Sequence, residues 1–322
     1  MRVAALSVSE RIAGLFKPEA SKAHSAKLLA NLAGHARNPA AFDADFYQSS
    51  NPDLAGFSET QLVRHYLQFG TQEGRRASGF GGRAGLSQTL NQGQPILEIS
   101  PWTSPFFAGP NVKYADILSN DELLERAKKV SRDSLDIPKM DYLISPTNLS
   151  DSIDASFEIV ASSHVIEHQP NLLEHLRQVG KLLVPGGRYV LAIPDKRFCF
   201  DHFKAESTLG DAVQADAEKR VRHTLETIVR QETLDTHNDS TRHWNGDHGE
   251  VGDPTQGRAR AERMYVDSLN EYLDCHAWYF TPSSFRALIS ESHQRNLQPF
   301  AVENIYNTVR NGIEFYAVLG IE

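Results

Sequence analysis

Residues 157–198, FEIVASSHVIEHQPNLLEHLRQVGKLLVPGGRYVLAIPDKRF, contain a complete strand–helix–strand pattern. The apolar run Phe157–Ser162 predicts a buried strand, and Asn171–Leu183 predicts a helix that stops at Pro185-Gly186-Gly187. A second apolar run, Tyr189–Ile193, predicts the next strand. Strands that alternate with helices at this spacing form a parallel sheet covered by helices, so this stretch predicts an α/β fold.

The same alternation extends in both directions along the chain. Further strands are predicted at residues 95–100, 112–115, 141–144, 300–304 and 314–319, and further helices at residues 120–130 and 282–291. The last two strands follow a helix, as expected for a terminal hairpin. The whole pattern predicts a Rossmann-like, doubly wound, mostly parallel sheet of seven strands.

Composition divides the rest of the chain. Residues 1–78 predict a small helical N-terminal module, and the Gly-rich, polar residues 79–94 predict a linker. The sheet domain then occupies residues 95–322. It carries a polar insertion at about 204–272, in which residues 212–231 predict a helix followed by a loop rich in His, Asn and Gly.

Bulk properties limit the classes of partner. The chain has 322 residues, 40% of them hydrophobic and 23% charged, with a formal net charge of −8. These values are typical of globular proteins and oppose general binding to nucleic acid or anionic membrane. The sequence has no run of about eighteen apolar residues, so no integral membrane segment is expected. Two cysteines without metal-binding spacing, and a start without a signal-peptide core, indicate a reducing, cytoplasmic location.

The N-terminal module contains two distinctive strings. Residues 42–53 have the pattern FDxxFYxxxNPD, and residues 65–75 have the pattern HYxxxGxxEGR. Together they resemble a short module found beside bacterial glycosyltransferase domains. The resemblance implies a bacterial origin and association with glycosyltransferase machinery. The alternative is a small helical packing unit with no activity of its own.

The deciding stretch also carries a family resemblance. SHVIEH at residues 163–168, PGG at 185–187 and IPDKR at 193–197 follow one another in order, and FTP at 280–282 comes later. These strings resemble a subgroup of the class I S-adenosylmethionine (SAM)-dependent methyltransferases, and the likeness covers residues 95–320. It implies a methyltransferase fold with SAM as the cofactor.

Ligands of an open parallel sheet bind beyond the carboxyl ends of its strands. Glu98 lies inside an apolar strand, where burying an acid is costly unless it has a partner. The resemblance implies that Glu98 holds the methionine end of the cofactor, with Ser100 standing where the family usually has glycine. Asp116, at the end of the second strand, is expected to accept hydrogen bonds from the ribose hydroxyls, unless it only caps a turn. The other expected cofactor contacts are Ser100, Asn148, Leu149 and Ser163.

Two histidines directly follow the strand in SHVIEH. His164 and His168 are suited to take a proton from a sugar hydroxyl or an acidic phenol, although either could instead cap a helix or fill a polar core position. Asp195 and Arg197 follow the next strand on the side expected to meet substrate. We expect catalytic roles for His164, His168 and Asp195, and a substrate-binding role for Arg197, the alternative being a solvated turn.

The polar insertion supplies further candidates. His237-Asn238-Asp239, residues 243–248 and His276 include side chains of the kinds that bind divalent metals. Their spacing matches no metal motif, so a polar substrate lid is the preferred interpretation and no metal ligand is assigned. His243, Trp244 and His276 are expected to contact the acceptor, with Trp244 stacking on a ring unless it is core.

These features favour SAM-dependent O-methylation of a small-molecule acceptor, specifically a saccharide or glycan precursor. A catalytically degenerate methyltransferase fold that serves as a binding or scaffold protein is the alternative. Ser100 in place of glycine and the lack of an acid near residues 145–148 favour that alternative. A sugar-nucleotide dehydrogenase is opposed by the absence of GxGxxG after the first strand.

Overall fold

The structure is a computed structural model that describes residues 42–79, 82–130, 137–145 and 148–321. The predicted helical start of the N-terminal module lies outside these residues. Contacts divide the chain into two compact units, residues 1–85 and residues 86–322. The division into a module, a linker and a sheet domain with the boundaries given above stays a prediction.

In the first unit, helices α1 (Ala44–Ser49) and α2 (Glu59–His65) enclose a small aromatic core. Helix α2 continues into a π turn, Tyr66–Gly70. A Cβ atom on Gly70 would clash with the Tyr47 hydroxyl, so the turn requires glycine at this position. The Tyr47 hydroxyl is also within 3.1 Å of His65 Nδ1, which gives both buried polar groups a partner.

The quoted strings of the N-terminal module are joined by one arginine. Arg75 donates two parallel hydrogen bonds of 2.9 Å to Asp53 and a third, of 3.0 Å, to Asn51. Its Nε donates to Glu73 at 2.6 Å. Paired arginine–carboxylate bonds fix geometry as well as adding energy. The NPD and EGR strings therefore have a packing role inside this unit.

The second unit contains a seven-stranded sheet in the order β3-β2-β1-β4-β5-β7-β6. Strands β1 to β5 pair in parallel, and β7 is antiparallel to both of its neighbours. The strands are β1 (Ile96–Ile99), β2 (Val112–Asp116), β3 (Tyr142–Leu143), β4 (Phe157–Ser163), β5 (Leu183–Pro194), β6 (Phe300–Tyr306) and β7 (Glu314–Ile321). This topology confirms the predicted Rossmann-like, mostly parallel, methyltransferase-type fold.

Both faces of the sheet are covered, because side chains alternate between two cores. Leu97 and Ile99 of β1 point into the larger core, and Ile96 points into the smaller one. The helices are α3 (Arg83–Leu90), α4 (Asn120–Lys129), α5 (Leu172–Lys181), α6 (Leu209–Ala217), α7 (Leu225–Leu234), α8 (Ser240–Trp244), α9 (Pro254–Asp267) and α10 (Pro282–Gln294). Buried strands of this kind need helices on both sides, which explains their continuous apolar runs.

The structure differs from the sequence-based prediction at strand β5. The predicted strand begins at Tyr189, but β5 begins at Leu183 and passes through Pro185-Gly186-Gly187. The pairing with β4 shifts register between Leu183 and Arg188, so the extra residues form an irregularity within the strand. The string PGG therefore bends a strand here instead of separating it from a helix.

The polar insertion is more helical than predicted. The single helix expected at residues 212–231 is two helices, α6 and α7, with Lys219 left-handed between them at φ 50°. The expected loop contains α8 and the start of α9, because Asp239 and Asp253 cap the first turns of these helices. Helix α3 likewise lies within the expected linker, where Leu86 is its single buried residue.

Candidate active site

The loops that follow β1, β2, β4 and β5 extend from one edge of the sheet, since parallel strands end on the same side. We call this edge the carboxyl edge. Nearly every residue expected to act on cofactor or substrate lies on it or on the insertion that follows β5. We call the β1 and β2 loops, where cofactor contacts were expected, the cofactor side, and the β4 and β5 loops, where acceptor contacts were expected, the acceptor side.

Glu98 lies in β1 and is completely buried. Its Oε1 accepts a hydrogen bond from the Phe106 N–H at 2.6 Å, and its Oε2 accepts one from the Phe107 N–H at 2.9 Å. Hydrogen bonds of this kind offset the cost of burying a carboxylate. Glu98 therefore closes the β1 loop by holding its far end against the strand.

Ser100 and Asp116 lie together on the cofactor side. Ser100 has φ 52°, a left-handed conformation that favours glycine, and its N–H donates to the Ala115 carbonyl at 2.7 Å. The serine thus holds a backbone conformation that glycine adopts more readily than other residues. Asp116 is 4% exposed, and its Oδ1 accepts from the Leu118 N–H at 3.0 Å. Burial raises the pKa of Asp116, while hydrogen bonds from Leu118 and Ser100 oppose that rise.

The other expected cofactor contacts are spread along the same edge. Asn148 forms an isolated bridge with Ser145 and donates its side-chain amide to Asp151. Leu149 is buried in the larger core, and Ser163 is the last residue of β4. The structure places these residues beside the sheet edge but shows no direct contact that assigns them to a cofactor.

The SHVIEH string forms a tight turn at the end of β4. His164 is left-handed, with φ 53°, and its N–H donates to the Ala192 carbonyl at 3.0 Å. Its Nε2 lies 2.7 Å from Glu314 Oε2, and its Nδ1 lies 3.6 Å from Glu167 Oε1. The His164 side chain is 35% exposed, so the imidazole is held by carboxylates and still reachable.

Glu167, which the sequence analysis quoted but gave no role, lies at the centre of this side. Its side chain is 1% exposed, and His168 Nε2 and His276 Nε2 lie 3.8 Å and 3.9 Å from its Oε1. Among the described residues, neither carboxylate oxygen has a hydrogen-bond partner. The Glu167 carbonyl anchors the string by accepting from the N–H groups of Ala277 and Trp278.

Both of these histidines are paired with a second carboxylate on the opposite side of the ring. His168 Nδ1 lies 2.9 Å from Asp274 Oδ1, and His276 Nδ1 lies 2.7 Å from Asp201 Oδ2. Lys204, which is completely buried, bridges Asp201 and Asp235 at 2.6 Å each. Burial opposes ionisation of Asp201, but His276 and Lys204 lower its pKa to about 2.

Asp195 is buried at the end of β5 and has several internal partners. Its carboxylate accepts two hydrogen bonds from the Arg197 guanidinium, at 2.9 Å and 2.6 Å, and one from the Thr308 hydroxyl at 2.6 Å. The residue is 0% exposed. In this arrangement Asp195 orients Arg197, whose side chain is 40% exposed.

The expected acceptor contacts divide into two groups. His243 lies beside His248, with 3.0 Å between their Nδ1 atoms, and His202 stacks on His248 at 3.7 Å. Trp244 stacks on Phe198 at 3.8 Å. His276 instead belongs to the group around Glu167. The structure thus brings His164, His168 and His276 together, and His243 with Trp244 separately on the insertion.

A comparison with known sequence families identifies part of the sheet that carries this edge. Residues 108–191, from the loop before β2 to β5, match the sequence family described as "Methyltransferase domain". The match identifies a SAM-dependent methyltransferase domain within the second unit, with SAM as its cofactor.

Solved structures similar to the methyltransferase have low sequence identity to it. They include the 1,6-didemethyltoxoflavin-N1-methyltransferase of Burkholderia thailandensis, with TM-score 0.38, 10% identity and coverage of 95% of this chain and 92% of that chain. The CcbJ methyltransferase of Streptomyces caelestis has TM-score 0.37 and 13% identity over 76% and 95% of the chains. A SAM-dependent methyltransferase of Mesorhizobium loti has TM-score 0.34 and 13% identity over 75% and 98%. No curated protein sequence matches the chain.

The cofactor side of the methyltransferase fits SAM chemically. A carboxylate ends β2 at Asp116, and left-handed turns at Ser100 and Trp102 bend the β1 loop away from the strand. A carboxylate at this position suits a ribose diol, and a tight backbone turn leaves room for a ligand.

Across the described residues, no helix combines the length and apolarity that a membrane span requires.

Proposed function

We propose that the methyltransferase methylates a hydroxyl oxygen on a saccharide or glycan precursor. The observation that carries this proposal is the pair His164 and His168 at the end of β4, each within 2.9 Å of a carboxylate. An oxygen acceptor must lose a proton as it is methylated, and an imidazole oriented by a carboxylate is suited to take it. The site is therefore equipped for O-methylation.

The cofactor side would hold SAM through a few named groups. Asp116 is proposed to bind the ribose hydroxyls, and Ser100 to present the turn on which the methionine end rests. Glu98 acts through the β1 loop that it closes, and Asn148, Leu149 and Ser163 would border the adenine and sulfur. When bound, SAM supplies a methyl group on a positively charged sulfur, which keeps the bonding electron pair when the methyl departs.

We assign His164 as the proton acceptor, with His168 as the second candidate. We propose that Nδ1, on the side of the ring opposite the Nε2 that Glu314 engages, takes the proton of the acceptor hydroxyl. The larger exposed fraction of His164, 35% against 19% for His168, makes it the more reachable of the two. Asp195 is proposed to act indirectly, by orienting Arg197.

The saccharide assignment rests on the acceptor side and the N-terminal module. Trp244, stacked on Phe198 and half-buried, offers an aromatic surface of the kind that packs against sugar rings. Arg197, whose guanidinium lies over the Phe198 ring, and His243 add polar groups on this side, and His276 would contact the acceptor from the separate group around Glu167. The resemblance of the N-terminal module supports a glycan context by association alone.

Methyl transfer from radiolabelled SAM to a panel of oligosaccharides, phenols and amines would test this proposal. We expect transfer to a saccharide hydroxyl, strongly reduced in His164→Gln. In Asp116→Asn the affinity for SAM should fall, measured by calorimetry, while Asp121→Asn on the exposed start of α4 serves as the control. Transfer to amines alone would overturn the O-methylation proposal. Absence of SAM binding by folded protein would overturn the assigned cofactor site.

The scaffold alternative loses its main support. It relied on Ser100 replacing glycine, yet Ser100 adopts the left-handed conformation that the glycine would adopt. The lack of an acid near residues 145–148 removes one proposed contact, at the border of the cofactor side that Asn148 and Leu149 form. We therefore do not propose a degenerate site.

A further inference from the structure

Three side chains on the acceptor side converge in a way that methyl transfer alone does not explain. Glu167 Oε1, His168 Nε2 and His276 Nε2 lie within 4.8 Å of one another. The oxygen is 3.8 Å from one nitrogen and 3.9 Å from the other. Two ligands that are each about 2.1 Å from one ion lie at most about 4.2 Å apart, so these atoms can share an ion after small adjustments.

Glu167 carries the second observation. Its side chain is 1% exposed, and among the described residues neither of its oxygens has a hydrogen-bond partner. An ionised carboxylate is expensive to bury unless it is paired with a cation or well hydrogen-bonded. Three imidazole nitrogens, of His164, His168 and His276, approach its Oε1 at 3.6, 3.8 and 3.9 Å, which is ion-pair distance but longer than a hydrogen bond.

The carboxylates beside the second nitrogen of each imidazole ring orient both histidines for binding a cation. Asp274 beside His168 Nδ1 and Asp201 beside His276 Nδ1 leave each Nε2 as the nitrogen near Glu167 Oε1, at 3.8 Å and 3.9 Å. A cation between these two nitrogens and the carboxylate would pair with the buried negative charge. Metal-bound histidines characteristically have such carboxylate partners on the other ring nitrogen.

We propose that Glu167, His168 and His276 bind a divalent first-row transition metal, such as Zn²⁺. Two imidazoles and one carboxylate with open positions form a ligand set typical of catalytic zinc and of related transition metals. Ca²⁺ and Mg²⁺ prefer oxygen ligands and suit this set poorly. With His168 as a metal ligand, His164 is the proton acceptor of the two histidines proposed above.

A second histidine cluster on the insertion provides a matched comparison. His202, His243 and His248 also approach one another, but no carboxylate is among them. Two of their nitrogens have backbone partners: His202 Nδ1 meets the Arg197 carbonyl at 2.9 Å, and His243 Nε2 meets the His237 carbonyl at 3.0 Å. This cluster therefore does not show the unpartnered buried acid that marks the first one.

Titration of the chelator-treated full chain with Co²⁺, followed by visible absorption, tests the proposal without SAM or acceptor. We expect one equivalent to bind, and binding to weaken by more than about 100-fold in Glu167→Gln and in His276→Gln, beyond the range for outer partners. Asp274→Asn should weaken it by about 10–100-fold, as expected for an outer partner. His248→Gln, in the comparison cluster, should bind like the wild type.

Two results would overturn the proposal. One is the absence of Co²⁺ and Zn²⁺ binding by folded wild-type protein at millimolar metal. The other is binding that survives Glu167→Gln but is lost in His248→Gln, which would place the metal in the second cluster. Circular dichroism establishes that each variant is folded, and Asp274→Asn decides the matter if Glu167→Gln does not fold. Because the readout is metal binding, failure here leaves the proposed O-methylation untouched.

Discussion

Glu98 and Glu167 are both acids at the carboxyl edge, and both are buried, at 0% and 1% exposure. The β1 loop gives each oxygen of Glu98 a backbone N–H, whereas neither oxygen of Glu167 has a hydrogen-bond partner among the described residues. Burial alone therefore does not distinguish a structural acid from a functional one. The difference lies in whether the fold itself supplies the compensating groups.

The largest effect is expected when both acids receive the same substitution, which tests this comparison directly. Glu98→Gln leaves one of the two buried N–H groups facing an amide donor, which should cost about 3 kcal/mol of unfolding free energy. Glu167→Gln removes a buried carboxylate that has no hydrogen bond among the described residues, and should cost less than Glu98→Gln in the presence of a chelator. Urea unfolding of both variants with EDTA measures the contrast. Equal losses would mean that Glu167 is compensated within the fold after all.

Adding metal should change the order of stabilities. At a free Zn²⁺ concentration of 100 times Kd, a site present only in the native state adds about 2.7 kcal/mol. We expect this gain in wild type and in Glu98→Gln, and no gain in Glu167→Gln. Thermal unfolding with and without Zn²⁺ provides the measurement, with His248→Gln as the control that keeps the gain. A gain in stability that persists in Glu167→Gln would show that the metal does not bind through this acid.

The same contrast explains how far the sequence alone could lead. The positions of Glu98 within β1 and of Ser100 and Asp116 at two strand ends were predictable, because the strands were visible as apolar runs, whereas their binding roles stay predictions. Alternation with helices predicted a parallel sheet, and the resemblance to methyltransferases implied the order of its strands. These features depend on local patterns and on the general rule for parallel sheets.

The environment of Glu167 was not predictable in this way. Asp201 comes just before the insertion, Asp274 and His276 come just after it, and no local spacing relates them to the end of β4. Helix caps at Asp239 and Asp253 organise a region whose composition suggested a loop. The one available signal was an unassigned acid between two histidines, in SHVIEH itself.

A buried histidine sharpens the comparison, because it avoids the cost of burial by staying neutral. Burial lowers the pKa of His175 to about 4, and its Nε2 lies 3.0 Å from the Tyr189 hydroxyl. In the unfolded chain the pKa is about 6.5, so the unfolded state gains protons first as pH falls. This group should therefore remove about 2 kcal/mol of stability by pH 5 and more towards pH 4, with no effect above pH 7.

Urea unfolding of wild type and His175→Gln at pH 7.5 and pH 5 isolates this contribution. Other groups also titrate in this range, but they do so in both proteins and cancel in the difference. The wild type should lose more stability than the variant between the two pH values. The same loss in both would show that His175 is charged, or solvated, in the native state.

The smallest effect concerns the backbone on the cofactor side. Ser100→Gly and Ser100→Ala both remove the hydroxyl that bonds to Asp116, but only glycine relieves the left-handed conformation at φ 52°. The glycine variant should be more stable than the alanine variant by about 1 kcal/mol, the usual cost of this conformation for other residues. Calorimetric SAM titration should then rank both variants below wild type if the hydroxyl orients Asp116 for ribose. Equal affinity in all three proteins would show that Ser100 is needed only for the backbone turn and that its hydroxyl does not orient Asp116. Ser100 would then resemble Glu98, whose role is to hold the β1 loop.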